Sequence, residues 1–188
     1  MKANTECQLF INKEFSDDDL LKGIYLAVIH ATRIPPHIGL ITEGKYHSLS
    51  VKGHDVNTPV TALIKNTIQR KIPSLFIKIR SHTTFSNTYL KEHFITNVQH
   101  FPKVDIGVAT CLSPLKLFFD EVYNIPMTDI NYLFELIPRL YSEELIENTS
   151  SLFIDEKKYV LPVYTTAEIN AGIEQVRNEF TGKLSLRQ

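Results

Sequence analysis

Apolar and polar positions follow one another along this chain with two periods, one typical of helices and one typical of strands. Segments with helical spacing or typical helix-start residues are 20–32, 58–70, 86–100, 111–123, 129–147 and 165–180. Short apolar runs typical of strands are 37–42, 46–51, 74–80, 152–154 and 159–163. Turn residues would join the first two strands, and also the last two, into antiparallel hairpins. The pattern predicts an α+β fold with an antiparallel sheet and packed helices.

Capping residues and a proline refine these helix predictions. The aspartates at 17–19 form a strong helix start ahead of the first predicted helix. Thr165 and Glu168 form a capping-box pattern ahead of the last one. Pro138 falls inside the helix predicted at 129–147 and is expected to kink or break it.

The composition is ordinary for a globular protein with a sizeable core. The chain has 188 residues, of which 43% are hydrophobic and 22% are charged. No internal repeat, low-complexity tract or shift in composition marks a linker. We therefore expect a single domain over residues 1–188.

Charge and cysteine content argue against two classes of protein. The formal net charge is -1, and the basic residues are scattered among acidic ones, so no nucleic-acid partner is expected. The densest basic stretch, 65–80, is interrupted by an apolar run and indicates a solvated helix face followed by a strand. Two cysteines are too few for a disulfide scaffold.

The sequence also lacks the apolar segments that secretion and membrane insertion require. Its first eight residues contain no secretory signal, and no window approaches the ~20 apolar residues of a membrane helix. We therefore expect a cytoplasmic protein without a membrane span. These patterns leave the oligomeric state open.

A cysteine near a predicted helix start is the strongest signal for chemistry. If Cys111 is the N-cap, unpaired N–H groups and the helix dipole favour loss of its proton. If Ser113 is the cap instead, with Pro114 at the first helical position, the cysteine lies in the preceding loop and feels less of the dipole. His37, which heads the predicted strand 37–42, would complete a Cys/His pair if the two side chains meet.

The order of these motifs resembles the circularly permuted papain-like group, which includes the permuted bacterial NlpC-like amidases and the lecithin retinol acyltransferase relatives. The motif Pro-His-Ile-Gly-Leu-Ile at 36–41, a glycine turn and the motif Tyr-His-Ser-Leu at 46–49 carry the resemblance, with the cysteine following much later. It covers residues 35–123 and leaves 126–188 as a C-terminal extension. The resemblance implies a permuted papain-like α+β fold.

The resemblance also implies roles for individual residues. Cys111 would be the nucleophile and His37 the base. In the acyltransferase branch a second histidine follows on the next strand, which makes His47 the residue that orients His37. In the amidase branch a glutamate occupies the comparable strand, where this chain offers Ser48 or Ser50. The implied function is a cysteine hydrolase or acyltransferase that cleaves an amide or ester bond of a peptide-like or acyl small-molecule substrate.

A second hypothesis is a non-catalytic α+β binding module with a degenerate papain-like site. Ala109 and Thr110 precede the cysteine, where the family typically has asparagine or an aromatic residue. In that case Cys111 is a small buried hydrophobe that packs against Leu115 and Phe118, as free cysteines commonly are.

No metal and no cofactor is predicted. The chain contains no His-Glu-x-x-His or Cys-x-x-Cys motif, no acidic cluster with ligand spacing and no glycine-rich phosphate loop. Its histidines recur in pairs seven positions apart, as His30 and His37 do. On one helix that spacing separates two residues by ~10.5 Å along the axis, too far to share a zinc ion.

Overall fold

A six-stranded antiparallel sheet forms the centre of the protein, as a computed structural model shows for residues 7–185. The strands of this range are β1 (Gln8–Phe10), β2 (Ile24–Ile29), β3 (His37–Thr42), β4 (Lys45–Ser50), β5 (Gly53–Pro59), β6 (Ser74–Ile79), β7 (Ile146–Leu152) and β8 (Lys158–Val160). The central sheet has the order β5-β4-β3-β2-β6-β7, and β1 pairs with β8 separately. The predicted α+β class with an antiparallel sheet is confirmed.

Five α-helices accompany the sheet in the same range. They are α1 (Val60–Gln69), α2 (Asn87–Gln99), α3 (Ser113–Tyr123), α4 (Leu133–Ser142) and α5 (Thr166–Ser185). None of these helices is long and apolar enough to cross a membrane.

The helices pack on both faces of the sheet. Alternate residues of a strand point to opposite faces, so Tyr25 and Ala27 of β2 belong to the smaller core beneath α1. Leu26 and Val28 belong to the larger core, which α2, α3 and α4 cover. The central strands are therefore buried on both sides.

The helix predicted at 20–32 is wrong, because this segment contains the central strand β2. The aspartate start signal leads only into one 3-10 turn, Asp18–Leu21. Gly23 follows with a φ of 85°, and β2 then runs between β3 and β6 with all six side chains buried. A strand buried on both faces needs a continuous apolar run, and such a run also fits the spacing of a helical face.

The C-terminal elements also differ from their predictions. The hairpin predicted from 152–154 and 159–163 is wrong: the first segment contains only the last residue of β7, and the second overlaps β8. β7 pairs with β6, whereas β8 pairs with β1. The helix predicted at 129–147 is shorter, because its last residues form the start of β7. Pro138 lies inside α4 without ending it.

Two predictions that rest on local signals are confirmed. β3 and β4 form the expected hairpin, with Thr42 opposite Lys45 across the glycine turn. The capping box precedes α5: Thr165 Oγ1 accepts a hydrogen bond from the Glu168 N–H at 3.3 Å, and Glu168 Oε2 accepts one from the Thr165 N–H at 2.7 Å. These contacts join residues only a few positions apart in the chain.

Gly39 allows β3 and β4 to approach each other closely near the head of β3. A Cβ atom at this position would lie 2.5 Å from the carbonyl oxygen of His47 and 2.6 Å from Cε2 of Tyr46. Gly39→Ala is therefore expected to lower the free energy of unfolding by about 1–3 kcal/mol, the usual cost of overpacking. Urea denaturation of the two proteins checks this, and equal stabilities would contradict it.

Candidate active site

A cavity of about 560 Å³ lies at the end of the sheet where β2 ends and β3 begins. Its volume is in the range typical of small-molecule sites. The loop 30–36, the head of β3, the turn before α3, the end of α1 and one side of α5 line it. Its polar lining includes His30, Arg33, His37, Ser50, Arg70 and Cys111. The predicted nucleophile and the predicted base therefore both line this cavity.

The C-terminal extension forms part of the cavity wall. Tyr164 and the α5 residues Ile169, Ile173 and Val176 line it. Gly172 lets α5 approach the loop 30–36, because a Cβ atom there would lie 2.8 Å from Cδ of Pro35. The segment without a counterpart in the resemblance thus closes one side of the site.

Cys111 lies in the turn that leads into α3, half-buried and ahead of the N-cap position held by Leu112. Two side chains order this turn. Ser113 Oγ accepts a hydrogen bond from the Thr110 N–H at 3.0 Å, and Thr110 Oγ1 accepts one from the Leu112 N–H at 3.2 Å. The cysteine is therefore not the N-cap, and it lies in the turn before the helix.

The surroundings of the Cys111 thiol oppose its ionisation. Burial raises its pKa, although the backbone N–H groups of Ile38, Cys111 and Leu112 lie near the sulfur and act in the opposite direction. Of the two alternatives for this turn, the structure agrees with the one that places Cys111 in the loop before the helix, although Leu112 and not Ser113 is the N-cap. Because its pKa is raised, the thiol is protonated at neutral pH. The backbone N–H of Ile38 lies near the sulfur, which places the sulfur beside β3, and no hydrogen bond joins Cys111 to the His37 ring.

His37 is the first residue of β3 and pairs with Ile29 of β2. Its Nε2 lies 3.1 Å from Oγ of Ser48, and its Nδ1 has no hydrogen-bond partner among the backbone and side-chain groups that the structure describes. Burial lowers the pKa of this imidazole to about 4, and the positive charges of Arg33 and His30 act in the same direction. His37 is therefore neutral at pH 7, with one ring nitrogen unengaged.

The structure does not bring His47 to His37. His47 pairs with Leu40 and shares its face of the sheet, where it meets the ring of Phe94 edge-on. Its Nδ1 accepts a hydrogen bond from the Asn57 N–H at 3.1 Å, and its Nε2 lies 3.5 Å from Thr42 Oγ1. The orienting role predicted for His47 is wrong on this geometry, and the side chain that touches the imidazole of His37 is Ser48.

Three cavity residues were not identified by the sequence analysis. His30 and Arg33 lie in the connection between β2 and β3, and Arg70 is the C-cap residue of α1. The seven-residue spacing of His30 and His37 could have indicated that both lie at one site, but only if the chain was expected to fold back between them. If the segment were a helix, the same spacing would place the two histidines ~10.5 Å apart along its axis.

The site is built from thiol, imidazole, hydroxyl and guanidinium groups. Across the described residues, no three histidine, cysteine or acidic side chains gather in a way that could hold a metal ion. The arrangement is suited to nucleophilic and general-base chemistry.

Comparison with known proteins returned nothing: no family model, curated protein or solved structure matches this chain. The function is therefore argued from the geometry of the cavity.

Proposed function

We propose that this protein is a cysteine hydrolase or acyltransferase that acts on an amide or ester bond, with Cys111 as nucleophile and His37 as base. The observation that carries the proposal is that a thiol and a neutral imidazole with a free ring nitrogen line one cavity of small-molecule size. A permuted papain-like fold, with the cysteine before a helix and the histidine at the head of a strand, is part of the proposal.

In the resting state the thiol keeps its proton and the imidazole is neutral, so the proposed proton transfer has to accompany the attack. As the Cys111 sulfur bonds to the carbonyl carbon, its proton passes to Nδ1 of His37. The imidazolium returns that proton to the leaving nitrogen or oxygen as the old bond breaks, and a thioester remains. Water, or an acceptor amine or alcohol, then releases the acyl group and restores the thiol.

Ser48 acts as a positioning residue in this scheme. When His37 donates its Nε2 hydrogen to Ser48 Oγ, across the 3.1 Å contact, the lone pair on Nδ1 is free to accept the thiol proton. The opposite tautomer would place a hydrogen on Nδ1 and block this transfer. Ser48 thus takes the role that the sequence analysis assigned to His47.

The test is covalent labelling with p-nitrophenyl acetate, followed by mass spectrometry of peptides. We expect a burst of p-nitrophenol and one acetyl group, located on Cys111. Cys7 is the internal control, because it is 6% exposed and burial raises its pKa to about 11. Cys7→Ala should keep the burst. Acetylation elsewhere, or no acetylation, would overturn the proposal.

A non-catalytic binding module is the second candidate, and the raised pKa of Cys111 favours it. A binding module would use the same cavity without forming a thioester. It would bind small acyl compounds equally well with cysteine or alanine at position 111, and it would show no burst.

A further inference from the structure

The cavity wall carries more positive than negative charge. Arg33, Lys52 and Arg70 line it, whereas Glu179 is the one carboxylate among the described lining residues. Glu179 Oε1 accepts a hydrogen bond from the neutral Gln175 amide at 3.2 Å and keeps its charge. Even without Lys52, the two arginines outnumber this carboxylate at the cavity wall.

The two arginines of the cavity differ from the other arginines of the described chain. Arg80, Arg139 and Arg177 each form an ion pair with an acidic side chain. Neither Arg33 nor Arg70 has an ion-pair partner among the described residues, and Arg33 only donates from Nε to the carbonyl of Pro35 at 3.4 Å. Unpaired guanidinium groups at a cavity are suited to bidentate recognition of a carboxylate.

Most of the remaining wall is apolar. Its apolar side chains include Ile34, Ile72, Leu133, Tyr164, Ile173 and Val176. A ligand that matches this wall has an apolar part and one anionic group. The volume of about 560 Å³ fits one small molecule of this kind.

We infer that the substrates are small amides with a carboxylate beside the scissile bond and an apolar acyl chain, as in N-acyl amino acids. Arg33 and Arg70 bind the carboxylate, the apolar wall holds the acyl chain, and Cys111 attacks the carbonyl between them. This inference rests on the proposed function for its chemistry, but the binding preference can be measured without turnover.

Titration calorimetry with the Cys111→Ala protein tests the inference. The probes are N-hexanoylglycine and its neutral analogue N-hexanoylglycinamide. We expect the acid to bind about ten-fold more tightly, because its carboxylate can accept charge-assisted hydrogen bonds from the guanidinium groups and the amide cannot. Added salt should reduce this preference by screening the charges.

Matched variants assign the preference to the arginines. In the same Cys111→Ala background, Arg33→Gln and Arg70→Gln should each reduce the preference for the acid and together abolish it, with little change for the glycinamide. Arg80→Gln, outside the cavity, should leave the preference unchanged. Equal binding of acid and amide, or no binding of either, would overturn the inference. If the unaltered protein still gave a burst with p-nitrophenyl acetate, the proposed function would stand without this inference.

Discussion

Replacement of Cys111 by alanine is expected to lower the rate of p-nitrophenyl acetate hydrolysis by at least about 10³-fold, because loss of the nucleophile removes the covalent route. The fold should persist, since the side chain is half-buried in a turn and lies ahead of α3. Initial rates and thermal unfolding of the two proteins check both halves of this expectation.

Two further variants show whether Cys111→Ala loses activity because the nucleophile is missing or because the fold is less stable. His37→Gln should lower the rate by about 10²–10⁴-fold, the usual contribution of a general base. Cys7→Ala removes a thiol from the apolar core and should leave the rate unchanged, even if the protein unfolds at a lower temperature. If Cys111→Ala loses stability and activity in equal measure, the cysteine is a packing residue and the catalytic proposal fails.

Local signals in the sequence predicted the parts of the fold that local contacts determine. The β3–β4 hairpin and the capping box of α5 depend on residues within a few positions of each other. The same is true of the start of α2, where Ser86 Oγ accepts a hydrogen bond from the Tyr89 N–H at 3.2 Å. At these places the conformation of the chain is determined by neighbouring residues in the sequence and does not depend on contacts with distant segments.

The elements that were predicted wrongly depend on distant partners. β2 is a strand because β3 and β6 flank it, and its own residues also fit a helical face. β7 pairs with β6, about 70 residues earlier in the chain, and not with its neighbour β8. β5 is mostly polar and was not predicted, because it is the edge strand and half of its surface faces water.

In the candidate site, too, some residues could be predicted from local motifs, whereas others depend on contacts between distant segments. Motifs identified Cys111 and His37, and the structure places both on one cavity. The choice between His47 and Ser48 as the neighbour of His37 depends on which face of β4 each side chain occupies. Alternation along β4 puts them on opposite faces, but only the register with β3 decides which face meets His37. The arginines could not be found from sequence because α1 and the β2–β3 loop meet only in three dimensions.

Acidification from about pH 6.5 to about pH 4 is expected to lower the free energy of unfolding by about 3 kcal/mol through His47 alone, at about 1.4 kcal/mol per pKa unit. Burial lowers the pKa of this histidine from 6.5 to about 4, with smaller contributions from Lys91 and Lys45. Between these two values the unfolded chain binds the proton and the folded chain does not. The contribution of neutral His47 to the free energy of unfolding is therefore fully present above pH 6.5 and is lost as the pH falls through 4.

The hydrogen bond from Asn57 is a second reason why protonation of His47 is unfavourable in the folded protein. The Asn57 N–H donates to Nδ1 of His47, which requires a lone pair on that nitrogen, and a protonated imidazole has none. Urea unfolding at several pH values measures the effect. His37 contributes in the same direction, because its pKa is also lowered to about 4.

The variant His47→Gln separates the two histidines. Glutamine cannot take up a proton, so the variant should lose the part of the dependence on pH between 6.5 and 4 that belongs to His47, about 3 kcal/mol. The remaining dependence includes His37 and His30, whose pKa values are also lowered. His100→Gln, at the exposed end of α2, should keep the full dependence. Full acid sensitivity in the His47→Gln protein would mean that this histidine is not held neutral by the fold. The expected result would instead show that His47 stabilises the sheet as a neutral acceptor, which is a role that needs no contact with the cavity.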